Sequence, residues 1–394
     1  MEEKRINLQY IVLQGLYMTL YCVSCGFISF YLQGNGFANS GIGIITAVFC
    51  LFAVIFQPIV GNICDRIDRL TWKKLIIILG LPYIVICIAM LIIKEKWIIA
   101  ILFGMMYIIT NIYLPLINTA LFSYKREGIE INFGVARGMG SAMYALMALF
   151  IGNIAVRVGT RIIPMAGLII IALFLGVVFS MPVADKIKSD RNETKRTNIV
   201  GFIKKYPYFS IMLLAVLFIY FSHNIIGTYL LQIVQSLGGN SGNLGIAMFI
   251  QALAEIPVLF TFSYIMKKVK IGNLMILAGI GYVVRGILYF ISGSIMIIYT
   301  IQLSQIFSFA IVTAASVYFT GMVVDVEDQT TGLAFMSGMT AAGTVLGSLL
   351  GGEILDHIGM RSMLAVNILI TIIGLGIAVC SIKLIRSKKK NKYV

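Results

Sequence analysis

Charge is what this chain has least of. Acidic and basic residues make up 12% of its 394 residues, about half of what a globular domain carries. Histidine and tryptophan occur twice each and cysteine six times. There is no His-rich metal motif, no pair of catalytic carboxylates and no nucleophile constellation, which argues against an intramembrane enzyme. Cys22, Cys25, Cys50, Cys64, Cys87 and Cys380 all fall in or at the ends of apolar runs. Cys22 and Cys25 form a CxxC, but with no second pair and no partner histidine they read as packing residues. Long polar connections are also scarce, so no soluble catalytic domain fits. No catalytic residue, metal site or cofactor is expected.

Apolar residues are what is there. They make up 59% of the chain, and the mean hydropathy is +0.96. A spanning helix needs about 20 apolar residues. Twelve runs meet that need, near 8–33, 41–64, 75–94, 97–123, 133–158, 162–183, 208–235, 241–266, 273–293, 294–322, 331–356 and 361–386. The first run is too long for a cleaved signal peptide and is expected to be retained. The expected class is therefore an all-α polytopic membrane protein with twelve transmembrane helices.

The net charge of +15 could suggest a nucleic-acid partner, but its distribution does not. With the N-terminus and every even-numbered connection on one side, that side holds 24 of the 31 Lys and Arg residues; the other side holds five. The two remaining cations, Arg137 and Arg285, lie within runs. Such a bias places both termini in the cytoplasm. The basic excess then serves topology and contact with anionic lipid, and no nucleic-acid partner is expected.

The longest polar stretch, 184–207, divides the chain into six runs and six. The expected organisation is an N-terminal six-helix bundle over 1–183, a cytoplasmic central loop over 184–207, and a C-terminal six-helix bundle with a basic tail over 208–394. In each half a short basic turn joins the second and third runs, at 61–74 and 266–273. Parallel six-span halves with a solute site near the midplane are a known transporter plan.

Gly61-Asn-Ile-Cys-Asp65-Arg66-Ile-Asp68-Arg69, followed by Lys73 and Lys74, resembles the loop motif of the major facilitator superfamily. The resemblance implies that Gly61, Asp65, Arg66 and Arg69 form a cytoplasmic gate. In span 5, Phe133-Gly134-Val-Ala136-Arg137-Gly-Met-Gly140-Ser141-Ala-Met-Tyr144 is similar to the matching stretch of the lactose permease-like oligosaccharide and nucleoside:proton symporters. That likeness implies a substrate-binding Arg137 and a stacking aromatic at Tyr144. Tyr282-Val-Val-Arg285 and Ala254-Glu255-Ile-Pro257 resemble the ninth-span arginine and the eighth-span acidic region of the same relatives. The chain departs from them elsewhere. Where a permease carboxylate partners the span 5 arginine, Asn118-Thr119 stand here. The tenth-span Lys, His and Glu fall near Gln302, Gln305 and Ser308. Lactose and that family's proton relay are therefore not expected, and a smaller polar solute is.

Glu255 is the one acid near the middle of a run, and Arg285 interrupts the next run at a matching depth, counting about 1.5 Å per residue. Opposite charges at one depth on neighbouring antiparallel helices are expected to meet and to mark a transport pathway. The pair is read as the proton-coupling site. Substrate contacts are expected from Arg137, Tyr144, Asn118, Tyr17, Tyr21, Asn111, Gln251, His223, Gln302 and Gln305. Asn118 is expected to share hydrogen bonds with Arg137. Gly343, Gly347 and Gly351 form a small-xxx-small stripe for close helix packing. Asp325, Glu327 and Asp328 form a connection without Lys or Arg and invite pairing with a basic loop.

The expected activity is proton-coupled uptake of a sugar, oligosaccharide or nucleoside by alternating access, in the bacterial inner membrane. The partners are a small polar solute, the proton and the bilayer, and the protein is expected to act as a monomer. One rival is a drug or metabolite:proton antiporter, weakened by the lack of proline in span 5. The other is a non-transporting receptor or assembly member of the fold.

Overall fold

A computed structural model of the chain describes residues 2–67, 70–182 and 199–388. Among the described residues there is helix and no strand. Backbone polar groups in lipid must be satisfied within each segment, which helices do. Among the described residues, eleven stretches are long and apolar enough to cross a membrane. One of them, Phe133–Ser180, contains two helices, Phe133–Val158 and Ile162–Ser180, joined by the 3-10 turn Gly159–Arg161. The twelve expected spans are therefore all present.

Spans 1 to 6 are Glu2–Tyr21 with its continuation, Asn39–Arg66, Trp72–Ile92, Lys96–Arg126, Phe133–Val158 and Ile162–Ser180. Spans 7 to 12 are Pro207–Thr228 with its continuation, Ser241–Lys268, Ile271–Ile291, Ile295–Val323, Gln329–His357 and Met360–Lys388. Three spans are interrupted. Span 1 passes through a π-turn, Cys22–Gly26, before Ile28–Gly34. Span 7 breaks at Tyr229 before Leu230–Ser236. Span 10 breaks at a 3-10 turn, Leu303–Phe307, before Phe309–Val323. A short helix, Ile199–Lys205, also lies within the stretch expected to be loop.

The chain forms two compact units: Met1–Lys188 with Gly238–Leu253, and Ser189–Leu237 with Ala254–Val394. The first half of span 8 thus groups with unit 1. It meets span 5 at two glycines: a Cβ on Gly152 would lie 2.7 Å from the Gly245 Cα, and one on Gly245 would lie 2.5 Å from the Ala148 carbonyl. Spans 5 and 8 touch there backbone to backbone.

Each span sorts its residues by solvent. On span 9, Ile280, Val284, Ile287 and Ile291 are exposed, whereas Ala278, Tyr282, Arg285 and Tyr289 are buried. Helical neighbours recur at three and four residues, so one face presents branched aliphatics to lipid and the other turns the polar groups inward. Span 3 does the same with Ile78, Leu81, Val85, Ile88 and Ile92 outward.

At the ends of the spans, polar side chains finish the helices. Lys73 Nζ donates to the Phe179 and Met181 carbonyls at 2.9 and 2.7 Å, capping the C-terminus of span 6. Gly61 to Arg66 continue span 2 as helix. The gate expected of Asp65, Arg66 and Arg69 lies outside the described residues: Arg69 itself, and the side chains of the other two.

The acidic connection between spans 10 and 11 meets a basic partner in its own unit. Lys205 Nζ lies 2.8 Å from Asp328 Oδ2 and 3.3 Å from Asp325 Oδ2. The single Tyr206 O–H lies between the same two oxygens, 2.9 and 2.8 Å away, and is shared by them. These bonds tie the helix Ile199–Lys205 to the start of span 11. The Asp328 bond pushes the Lys205 ammonium well above the usual lysine range. Burial pushes the Tyr206 phenol up.

Candidate functional site

The polar centre of unit 2 is built from spans 8, 9 and 10. Glu255 lies 13 residues before the end of span 8, and Arg285 lies 14 residues into span 9. Both depths along their helices are about 20 Å at 1.5 Å per residue. Arg285 is 2% exposed and Glu255 9%. A side-chain amide bridges them. Arg285 Nη1 donates to Gln305 Oε1, and Gln305 Nε2 donates to Glu255 Oε1 at 3.2 Å. Arg285 Nη2 donates to Gln302 Oε1 at 3.1 Å, and Gln302 Nε2 donates to the Tyr289 hydroxyl at 2.9 Å. The guanidinium lies 5.6 Å from the centroid of the Tyr289 ring.

The break in span 10 makes this geometry. Side chains at i and i+3 eclipse on a 3-10 turn, so Gln302 and Gln305 face one guanidinium. Gly281 of span 9 admits the break: a Cβ there would lie 2.4 Å from the Phe307 carbonyl. Isolated charges are costly inside a bilayer, and buried ones persist when paired and hydrogen-bonded. Tyr289 was missed from sequence, although its place four residues after Arg285 puts it on the same helical face.

Beside this cluster, His223 of span 7 stacks on Phe309 with ring centroids 4.3 Å apart and planes 14° apart. Its Nδ1 lies 3.3 Å from the Tyr282 hydroxyl. His223 is thus half enclosed by aromatic rings, with Tyr220 at 6.1 Å.

The polar centre of unit 1 gathers around the π-turn of span 1, a feature frequent at functional sites. The Phe27 N–H reaches back to the Cys22 carbonyl at 3.2 Å. Ser24 Oγ donates to Thr110 Oγ1 at 3.0 Å, and Asn111 Nδ2 donates to Cys25 Sγ at 3.5 Å. Pro115 has no N–H for the carbonyl of Asn111 one turn earlier. Gln57 Nε2 of span 2 donates to that carbonyl at 3.1 Å. The proline thus opens a polar junction of spans 1, 2 and 4. Cys25, read from sequence as packing, is part of it and only half-buried.

Tyr17, Tyr21 and Tyr144 form one aromatic row, with centroids 6.3 and 6.5 Å apart. The Tyr144 hydroxyl lies against Gly26, where a Cβ would come within 2.8 Å of it. Arg137 is half-buried and its Nη1 donates to Met18 Sδ at 3.4 Å. The bond expected between Arg137 and Asn118 is not made among the described residues. Asn118 lies two turns along span 4 from Asn111, and Gln251 lies half-buried on span 8.

Comparison with known proteins now bears on this arrangement. A curated relative, the uncharacterized transporter YwbF of Bacillus subtilis (strain 168), is 21% identical over 408 residues, covering 100% of this chain and 97% of its own. The crystal structure of the nucleoside transporter NupG superposes with a TM-score of 0.80 at 14% identity, covering 98% of this chain and all of that one. A bacterial homologue of the human lysosomal transporter Spinster, in an inward-facing and unoccupied conformation, superposes at 0.67 with 10% identity, over 99% of both chains. At these identities the structures establish the fold alone. The sequence pattern of the MFS_1-like family matches residues 10–366. With twelve apolar spans, buried polar centres and that match over nearly its whole length, the chain belongs to the MFS_1-like family of membrane transporters and is not an enzyme.

Proposed function

We propose that this protein is a proton-coupled uptake transporter for a nucleoside or sugar. It works by alternating access between spans 1–6 and spans 7–12, in the bacterial cytoplasmic membrane with both termini inside. The observation that carries the reading is the buried chain Arg285–Gln305–Glu255 at mid-depth in unit 2. An acid at that depth, with the Gln305 amide on its Oε1 and the Arg285 guanidinium on the other end of that amide, has the surroundings in which proton affinity responds to small rearrangements. Arg137, Tyr144, Tyr17, Tyr21, Asn111, Asn118 and Gln251 are the solute contacts of unit 1, and His223 that of unit 2. Flat rings with hydroxyl tips suit a sugar or a nucleobase, and amides and a guanidinium suit its polar groups. The name of the structurally similar NupG, a nucleoside transporter, favours nucleosides.

The test is ligand-induced thermal stabilisation against a panel of nucleosides, sugars and lipophilic cations, since binding raises apparent stability by mass action. Each hit is repeated with Glu255→Gln at about pH 6 and about pH 8, on either side of neutrality. A nucleoside or sugar hit whose pH dependence vanishes in Glu255→Gln supports symport. Unchanged pH dependence makes Glu255 a structural partner of Arg285. Stabilisation by lipophilic cations alone sinks uptake in favour of an antiporter.

A further inference from the structure

We propose that Gln305 is a positioning residue that sets the proton affinity of Glu255, acting as a neutral relay between that carboxylate and Arg285. The proposal rests on the reading of Glu255 as the proton-exchanging group, and it gives Gln302 and Gln305 a role other than contact with solute.

A glutamine amide has one accepting end and one donating end. Fixing either end fixes the other. The Arg285 guanidinium can only donate, so the ends of Gln302 and Gln305 that face it must be the carbonyl oxygens. The Gln305 amide cannot flip without setting N–H against N–H. Its Nε2 is therefore held toward Glu255 Oε1, 3.2 Å away. The same logic turns the donor of Gln302 onto the Tyr289 hydroxyl. Both amides are fully buried, and each has its acceptor and a donor hydrogen already engaged. Little is left for a solute.

Two consequences follow for Glu255. An N–H donated to a carboxylate favours the charged form, and a carboxyl that takes up a proton becomes a weaker acceptor. The amide is also polarised by the guanidinium, so Arg285 acts on Glu255 through Gln305. Any shift of span 10 at its 3-10 turn moves Gln305 and changes both terms together. Tyr282 on span 9, with Arg285, and Tyr220 on span 7 lie within electrostatic range of Glu255. His223, also on span 7, lies within electrostatic range of Arg285. None of them is replaced in the test.

The test is an infrared pH titration of the purified protein, with the Glu255 carboxyl band assigned as the one lost in Glu255→Gln. Gln305→Glu keeps an acceptor for Arg285 and nearly the same shape, but sets a second carboxylate where the N–H now points. Like charges raise proton affinity. The Glu255 midpoint is expected to rise by at least about one pH unit, tenfold in proton concentration. The double variant Glu255→Gln/Gln305→Glu identifies which carboxyl carries the moved band. Gln305→Met, which removes the N–H at similar length, is expected to raise the midpoint by less, and it stands as the test if Gln305→Glu does not fold. A Glu255 band that titrates in the wild type but keeps its midpoint in these variants overturns the relay and leaves proton exchange standing. A wild-type Glu255 that does not titrate between about pH 4 and pH 9, spanning the ordinary carboxylate and histidine ranges, overturns both.

Discussion

One chemical change at two glycines of span 11 should have opposite effects. Gly343 and Gly338 lie on the same helix, Gln329–His357. A Cβ on Gly343 would lie 2.5 Å from the Leu217 carbonyl oxygen, 2.8 Å from the Phe221 nitrogen and 2.9 Å from the Tyr220 Cβ. Ordinary contact begins at 3.4 Å, so the helix must retreat by about 0.9 Å. The first two atoms are backbone of span 7, which cannot rotate away. The same retreat loosens Gly347 and Gly351, which pack on the Phe221 carbonyl and the Tyr229 ring. Overpacking of this kind costs about 1–3 kcal/mol, offset by about 0.5–1 kcal/mol of helix propensity gained from Gly→Ala. Because the clash is with backbone, the cost falls in the upper half of that range, and Gly343→Ala should lose about 1–2 kcal/mol net. Around Gly338 nothing lies within 4 Å, so Gly338→Ala keeps the propensity gain of about 0.5–1 kcal/mol. With an unfolding entropy of about 2.1 cal/mol/K per residue, a chain of 394 residues shifts by roughly 1 °C per kcal/mol. The two variants should melt about 2–3 °C apart in detergent, one on either side of the wild type. Two shifts of the same sign would refute the packing argument.

At the junction of Ile199–Lys205 with span 11, variants should rank by burial. Asp328→Asn is expected to lower the melting temperature most, because Asp328 is 5% exposed and accepts from both Lys205 and Tyr206. Asp325→Asn should cost least, since its side chain is 60% exposed; a reversed order would refute the ranking. The proton affinity of Lys205 is raised on folding, so its contribution is complete below the unfolded lysine value of about 10.4 and fades as pH rises through the higher folded value. Melting temperatures from neutral to about pH 9 should therefore show no loss from this group. Lys73→Met should uncap the Phe179 and Met181 carbonyls and cost up to about 1 kcal/mol, read as a melting shift smaller than that of Gly343→Ala.

The sequence alone determined the parts of this protein that depend on local composition. Apolar length fixed the spans, because lipid forces each segment to satisfy its own backbone. Residue counting placed Glu255 and Arg285 level, because the helical rise is constant. Spacing of four marked the Gly343, Gly347 and Gly351 stripe, and the acidic connection announced a basic partner without naming Lys205.

Tertiary structure decided the rest. The turns at Cys22–Gly26 and Leu303–Phe307 carry no proline, and span 10 bends where Gly281 lets another backbone approach. That bend aims Gln302 and Gln305 at one guanidinium, with Glu255 and Tyr289 at the far ends of their amides, a pairing the sequence did not show. Arg137 found Met18 instead of Asn118, and His223 found the face of Phe309. Helix breaks and side-chain pairings arise from contacts between segments distant in the chain. Hydrophobicity records which face turns inward; which atoms meet there is settled only when the helices pack.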